Sequence, residues 1–95
     1  MNKYEAMFLV KPELSEDDKK ALFNQIGEAV TKNQGLVSSG AVWSEKRKLY
    51  FPIKKYQDAV YYLLNCNLPP LAIKEIRRAY SLNENILRVL LTKSE

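Results

Sequence analysis

The chain has 95 residues, 46% of them hydrophobic and 27% charged, the composition of one small globular domain rather than a disordered segment. Fifteen Lys and Arg against eleven Asp and Glu leave a net charge of +4, a bias toward anionic partners. Histidine is absent and cysteine occurs once; this removes the commonest general base, any internal disulfide framework and any multi-cysteine zinc site, and it fits a reducing compartment.

The charge is unevenly placed, with a net −1 over residues 1–34, +3 over 35–58 and +2 over 59–95. An anion-binding surface is therefore expected to draw on the middle and end of the chain. No apolar run is long enough to span a membrane. The opening residues alternate instead of forming the apolar stretch of a signal peptide. The whole chain, 1–95, is expected to fold as a single domain.

In chain order, Tyr4 to Val10 reads as a strand, with Tyr4, Ala6, Phe8 and Val10 on one face and Glu5, Met7 and Leu9 on the other. Both faces turn apolar toward its end, which predicts a central strand. Ser15 then suits a helix N-cap followed by Glu16, Asp17 and Asp18, the acidic first turn that the helix dipole favours. Leu22, Ile26, Ala29 and Val30 recur along one stripe, predicting a helix over 16–33 that ends at Gly35 as its C-cap glycine. Leu36 to Phe51 reads as a long strand whose weak point, at Gly40, admits a bulge. Pro52 and residues 54–58 are expected to form a connection. Ala59 to Asn67 is the third strand, with Tyr62, Leu64 and Cys66 on one face and Tyr61, Leu63 and Asn65 on the other. Pro69 and Pro70 suit the start of a second helix, whose stripe is Ala72, Ile73, Ile76, Ala79 and Tyr80. A turn at Asn83-Glu84-Asn85 leads to a last strand, Ile86 to Lys93, with Leu87, Val89 and Leu91 on one face. The order βαββαβ predicts an α+β, ferredoxin-like split: a four-stranded antiparallel sheet with two helices on one face.

Few of these residues suit catalysis. Cys66 sits in an apolar strand with no histidine to activate it, so a packed core thiol is expected. The three glycines form no phosphate-cradling loop, and no enzyme, cofactor, metal or small-molecule substrate is expected. The basic cluster Lys46-Arg47-Lys48, followed closely by Lys54-Lys55, admits two readings. It could grip a phosphate backbone from a projecting hairpin, or its lysines could guard a strand edge against aggregation. The sheet face away from the helices is expected to carry Met7, Leu9, Tyr61, Leu63, Arg88 and Leu90. That face is too apolar to be left to water, so a partner protein or a second copy should cover it. The competing reading is that the long hairpin screens part of it.

Lys3-Tyr4-Glu5 followed by Phe8-Leu9-Val10-Lys11-Pro12 resembles the opening of the bacterial ribosomal small-subunit protein S six family. Trp43, a basic run and Leu49-Tyr50-Phe51-Pro52-Ile53-Lys54-Lys55 resemble its middle. Asn83-Glu84-Asn85-Ile86-Leu87-Arg88 resembles its end. The family usually has glycine directly after the tryptophan, whereas Ser44-Glu45 stands here before the basic run; many members also carry a longer C-terminal tail than this sequence. The resemblance implies a structural, non-enzymatic, cytoplasmic role in the small ribosomal subunit. It implies binding to small-subunit ribosomal RNA together with a small basic partner, ribosomal protein S eighteen. The residues expected to meet RNA are Lys3, Lys46, Arg47, Lys48, Lys54, Lys55 and Arg88. Those expected to meet the partner are Met7, Leu9, Tyr61, Leu63 and Leu90. A function of another class remains beside it, a ferredoxin-like regulatory or ligand-binding module that self-associates through its open sheet face.

Overall fold

The structure, a computed structural model, describes residues 2–94; the side chains of Glu45, Lys46 and Tyr50 through Pro52 lie outside the described residues. Strand β1 (Asn2–Val10) is followed by helix α1 (Glu16–Lys32), strands β2 (Leu36–Ile53) and β3 (Tyr56–Leu68), helix α2 (Ile73–Ser81) and strand β4 (Ile86–Ser94), with a single 3-10 turn at Pro70–Ala72 leading into α2. The strands form one sheet in the order β2-β3-β1-β4, antiparallel at every pairing. This is the ferredoxin-like split, with β1 central as its two apolar faces required.

The helix layer packs as the stripes predict. Leu22, Ile26 and Val30 of α1 and Ile76 and Tyr80 of α2 are buried against Ala6, Phe8, Tyr62, Leu64 and Cys66 of the sheet. Ala29 is only partly buried and Ala79 is exposed, so the stripes are narrower than the sequence suggests. Ser15 caps α1 by accepting from the Asp18 amide at 3.1 Å, satisfying one of the free donors of the first turn. Tyr80 donates its hydroxyl to the Ile26 carbonyl at 2.8 Å, tying the helices together inside the core. Its ring meets Phe8 edge-on at 4.8 Å, a favoured aromatic geometry.

Three local expectations change. The left-handed residue after α1 is Gln34, at φ 65°, and no glycine has positive φ. Gly35 is needed for room: a Cβ there would lie 2.6 Å from the Asn67 carbonyl oxygen and 2.6 Å from Leu68 Cδ2. Second, β2 pairs regularly at Gly40, and its register shifts fall on either side, between Val37 and Ser39 and between Val42 and Ser44. Third, a register shift between Leu9 and Val10 pairs Val10 with Ile86 and Leu9 with Arg88. This bulge turns Leu87 away from Val89 and Leu91 and onto the open face.

The expected connection at 52–58 is also shorter than the sequence suggests. Lys54 and Lys55 alone make the turn, with φ of 49° and 72°, between the paired residues Ile53 and Tyr56. Two successive positive φ values in a two-residue loop are the signature of a type I′ hairpin turn. The end of this hairpin bends over the sheet. Leu49 packs with Leu9, Ala59 and Leu87 in a second buried cluster on the open face, flanked by Ile53, Tyr56, Met7 and Tyr61. Since β2 is the edge strand beyond β3, Leu49 reaches β1 and β4 only by crossing that face.

Candidate nucleic-acid interface

The bent hairpin gathers cations that are distant in sequence. Lys54, at its turn, and Arg88, on β4, line the same shallow hollow beside Tyr80 and Ser81. Arg47 and Lys48 line another with Leu49 and Tyr61. Between them, Arg88, Leu49 and Tyr61 border an apolar groove of about 240 Å³ with Met7 and Leu90. Arg47, Lys48, Lys54, Lys55 and Arg88 are all exposed. Cations arranged along one end of a protein and interrupted by aromatic rings suit the backbone and bases of a nucleic acid. The side chain of Lys46, expected in the same cluster, lies outside the described residues.

Lys3 is not part of this group. It pairs with Asn67 and Ser94 at the far end of the sheet. At about 3.3 Å per strand residue it lies roughly 20 Å from the position where Leu9 meets Arg88.

Arg47 pairs with Ala59 of the open-face cluster, which turns it to that face, where aromatic rings receive it. Its guanidinium carbon lies 4.7 Å from the Trp43 ring and 5.7 Å from the Tyr61 ring, within cation–π range. The two rings are themselves 5.7 Å apart at 44°. Trp43 is 53% exposed. Nothing in the alternation pattern marks Trp43 as part of the site, because a register shift between Val42 and Ser44 decides its direction. The cations of α2, Lys74, Arg77 and Arg78, are exposed on the helix side; their i, i+3, i+4 spacing was the available signal.

The residues expected to meet a partner protein separate into two kinds. Leu9 is 6% exposed beneath Leu49. It is a core residue, and the expectation that it docks a partner is corrected: the hairpin already covers it. Met7, Tyr61 and Leu63 are half-buried and Leu90 is 48% exposed, leaving a smaller apolar patch around the groove.

A hydrogen bond holds the hairpin in its bent position. Tyr56 donates its hydroxyl to Glu13 in the β1–α1 loop, and Lys11 lies over the Tyr56 ring at 5.9 Å. The hydrogen bond to Glu13 raises the Tyr56 pKa above its ordinary value, with desolvation and the carboxylate charge adding to it. Cys66 is buried in the main core, and burial pushes its thiol up. Among the described residues no cluster of acidic or cysteine side chains could hold a metal ion, and no helix is long and apolar enough to cross a membrane.

Residues 3–93 match the family model described as Ribosomal protein S6. The chain is 38% identical over 95 residues to the small ribosomal subunit protein bS6 of Dictyoglomus turgidum, covering 100% of this chain and 97% of that one. It is 33% identical to that of Exiguobacterium sibiricum, covering 100% and 99%. The crystal structure of 30S ribosomal protein S6 from Thermotoga maritima superposes with a TM-score of 0.89 at 19% identity, covering 98% of this chain and 87% of that one. The solution structure of the C-terminal domain of the MgtC protein from Mycobacterium tuberculosis shares the fold with a TM-score of 0.67 at 8% identity. The family model covers residues 3–93 and the relatives match over the full chain at 30% identity or more, which assigns the chain: it belongs to the ribosomal protein S6 family, structural and non-enzymatic components of the small ribosomal subunit.

Proposed function

We propose that this protein binds small-subunit ribosomal RNA through the cationic end formed by Arg47, Lys48, Lys54, Lys55 and Arg88, with Lys46 in the same run, and that ribosomal protein S eighteen docks on the apolar groove beside it. The observation that carries the reading is the bend of the β2–β3 hairpin, after which Lys54 and Arg88 border one hollow although they belong to different strands. A further support is backbone chemistry. Lys54 and Lys55 occupy left-handed positions where Asn-Gly is strongly preferred. Lysine at such a cost is the pattern of a side chain kept for its charge. The groove between Arg88 and Tyr61 offers the partner an apolar floor with an arginine and an aromatic ring at its border, the residue types that anchor interfaces.

The test is sedimentation of a cell extract through a sucrose gradient under conditions that separate the subunits, followed by filter binding. The protein should migrate with the small subunit. Its affinity for purified small-subunit RNA should rise when ribosomal protein S eighteen is added, and should fall steeply with salt. A protein found at the top of the gradient as a self-associated species, with no RNA affinity, would overturn the reading in favour of a self-associating module.

A further inference from the structure

We infer that Trp43, backed by Arg47, is a stacking platform for one unpaired nucleotide of the bound RNA; the inference rests on the RNA-binding reading above and narrows it to a base-recognition subsite. Three observations carry it. Trp43 is 53% exposed although it is the largest apolar side chain in the protein, so the fold leaves about half of its surface unpacked. It is not loose: Arg47 stands over its ring at 4.7 Å, and Tyr61 lies 5.7 Å away. The indole is thus fixed in direction by neighbours that leave about half of it open. Lys48 is exposed on the same stretch of β2 and lines a hollow with Arg47 and Tyr61.

The chemistry of this group selects its ligand. An aromatic face and a guanidinium plane are the two surfaces on which nucleobases stack. Adjacent cations hold the phosphates on either side of the stacked base. Bases inside a duplex present their edges, not their faces, and the deep major groove of an RNA helix does not admit side chains. Only a bulged, looped or frayed nucleotide can lay its face on the indole. Stacking is tolerant of base identity, because every base has a π face, so the platform distinguishes unpaired from paired RNA rather than one sequence from another.

Trp43 is the single tryptophan, which makes the intrinsic fluorescence of the full chain a direct reporter. The probes are a ten-nucleotide single-stranded RNA of mixed sequence and a duplex RNA of the same length, titrated at low salt. The single strand should quench Trp43 emission; the duplex should bind through the cations without quenching. Trp43→Ala should weaken single-strand binding by about 5- to 150-fold, the effect of losing one stacked base, and weaken duplex binding far less. Trp43→Phe should retain most of the affinity. Binding of both RNAs by the wild type with no change in emission would overturn the platform while leaving the RNA-binding reading intact. Equal losses for single strand and duplex in Trp43→Ala would also overturn it, reducing Trp43 to a support for Arg47. Failure of the wild type to bind either RNA would overturn both. A shift in emission caused by ribosomal protein S eighteen but by neither RNA would assign the exposed indole to the protein partner instead.

Discussion

At the scale of single residues, the core is governed by burial, and its titratable groups follow. Cys66 and Tyr80 are 3% and 4% exposed, and desolvation raises the pKa of each, with the Cys66 and Tyr62 charges adding smaller effects at Tyr80. Burial disfavours the thiolate and the phenolate. In the unfolded chain these groups lose their protons first as pH rises, so the native state then holds more protons and stability falls with pH. The stabilising effect of the neutral forms is complete below the unfolded values, about 8.5 for Cys and 10 for Tyr. It is lost as pH climbs through the raised native ones. Urea unfolding should therefore give a midpoint that declines above about pH 9, and Cys66→Ala should flatten the first part of that decline while costing about 1–3 kcal/mol at neutral pH. Native Cys66 should be inert to a thiol-reactive chromophore until the protein is unfolded. Rapid labelling of the folded protein, or a midpoint that rises above pH 9, would contradict the burial of Cys66 and Tyr80.

At the scale of elements, the β2–β3 hairpin connects strain to function. Lys54 and Lys55 both hold positive φ, which costs an ordinary residue roughly 1–2 kcal/mol. Replacing them with Asn-Gly supplies the residues that a type I′ turn prefers. Lys54→Asn with Lys55→Gly should raise unfolding free energy by about 1 kcal/mol and at the same time weaken RNA binding. A gain in both would show that the lysines do not meet RNA, and a loss of stability would show that the turn is not of this type. The same hairpin explains where the sequence was legible. Alternation and helical stripes are local, and they sufficed for the element order, the α1 and α2 core faces, the Ser15 cap and the position of β1. The fate of Leu9 was not local. Whether it meets a partner or the core depends on Leu49 crossing β3 and β1, and register shifts along β2 control that bend. Leu87 escaped for a related reason: one bulged residue reverses the face of a strand position. Gly35 looked like a helix cap because glycine often is one, yet here its missing Cβ makes room for the Asn67 carbonyl. Of the candidate site, the basic residues were readable from composition, and Trp43 was not, since its direction is set by a register shift.

At the scale of the whole molecule, the two sheet faces divide the work. One carries the helices and the main core. The other is half closed by the hairpin and keeps its cations at one end, with Lys3 at the opposite end. This asymmetry predicts the salt dependence of binding. Each phosphate contact contributes about 0.7–0.9 to the slope of log affinity against log salt. Lys48, Lys54 and Lys55 are exposed, so changing all three to Gln leaves the buried clusters untouched and keeps the strained turn as it is. If each holds one phosphate, the slope should become shallower by about 2 to 3 units, with similar loss on every RNA sequence, because phosphate contacts position without specifying. Lys3→Gln serves as the contrast. It removes one positive charge, as each of the other changes does, but roughly 20 Å away along β1, twice the screening length at about 0.1 M salt. Its slope should match that of the wild type. The measurement is filter binding to small-subunit RNA across a salt series, with circular dichroism to show that all variants fold. A shallower slope for Lys3→Gln would mean that the RNA runs the length of the open face, over the apolar groove, and would leave the partner protein no room there. An unchanged slope for the triple variant would move the RNA to the helix side, where Lys74, Arg77 and Arg78 are exposed.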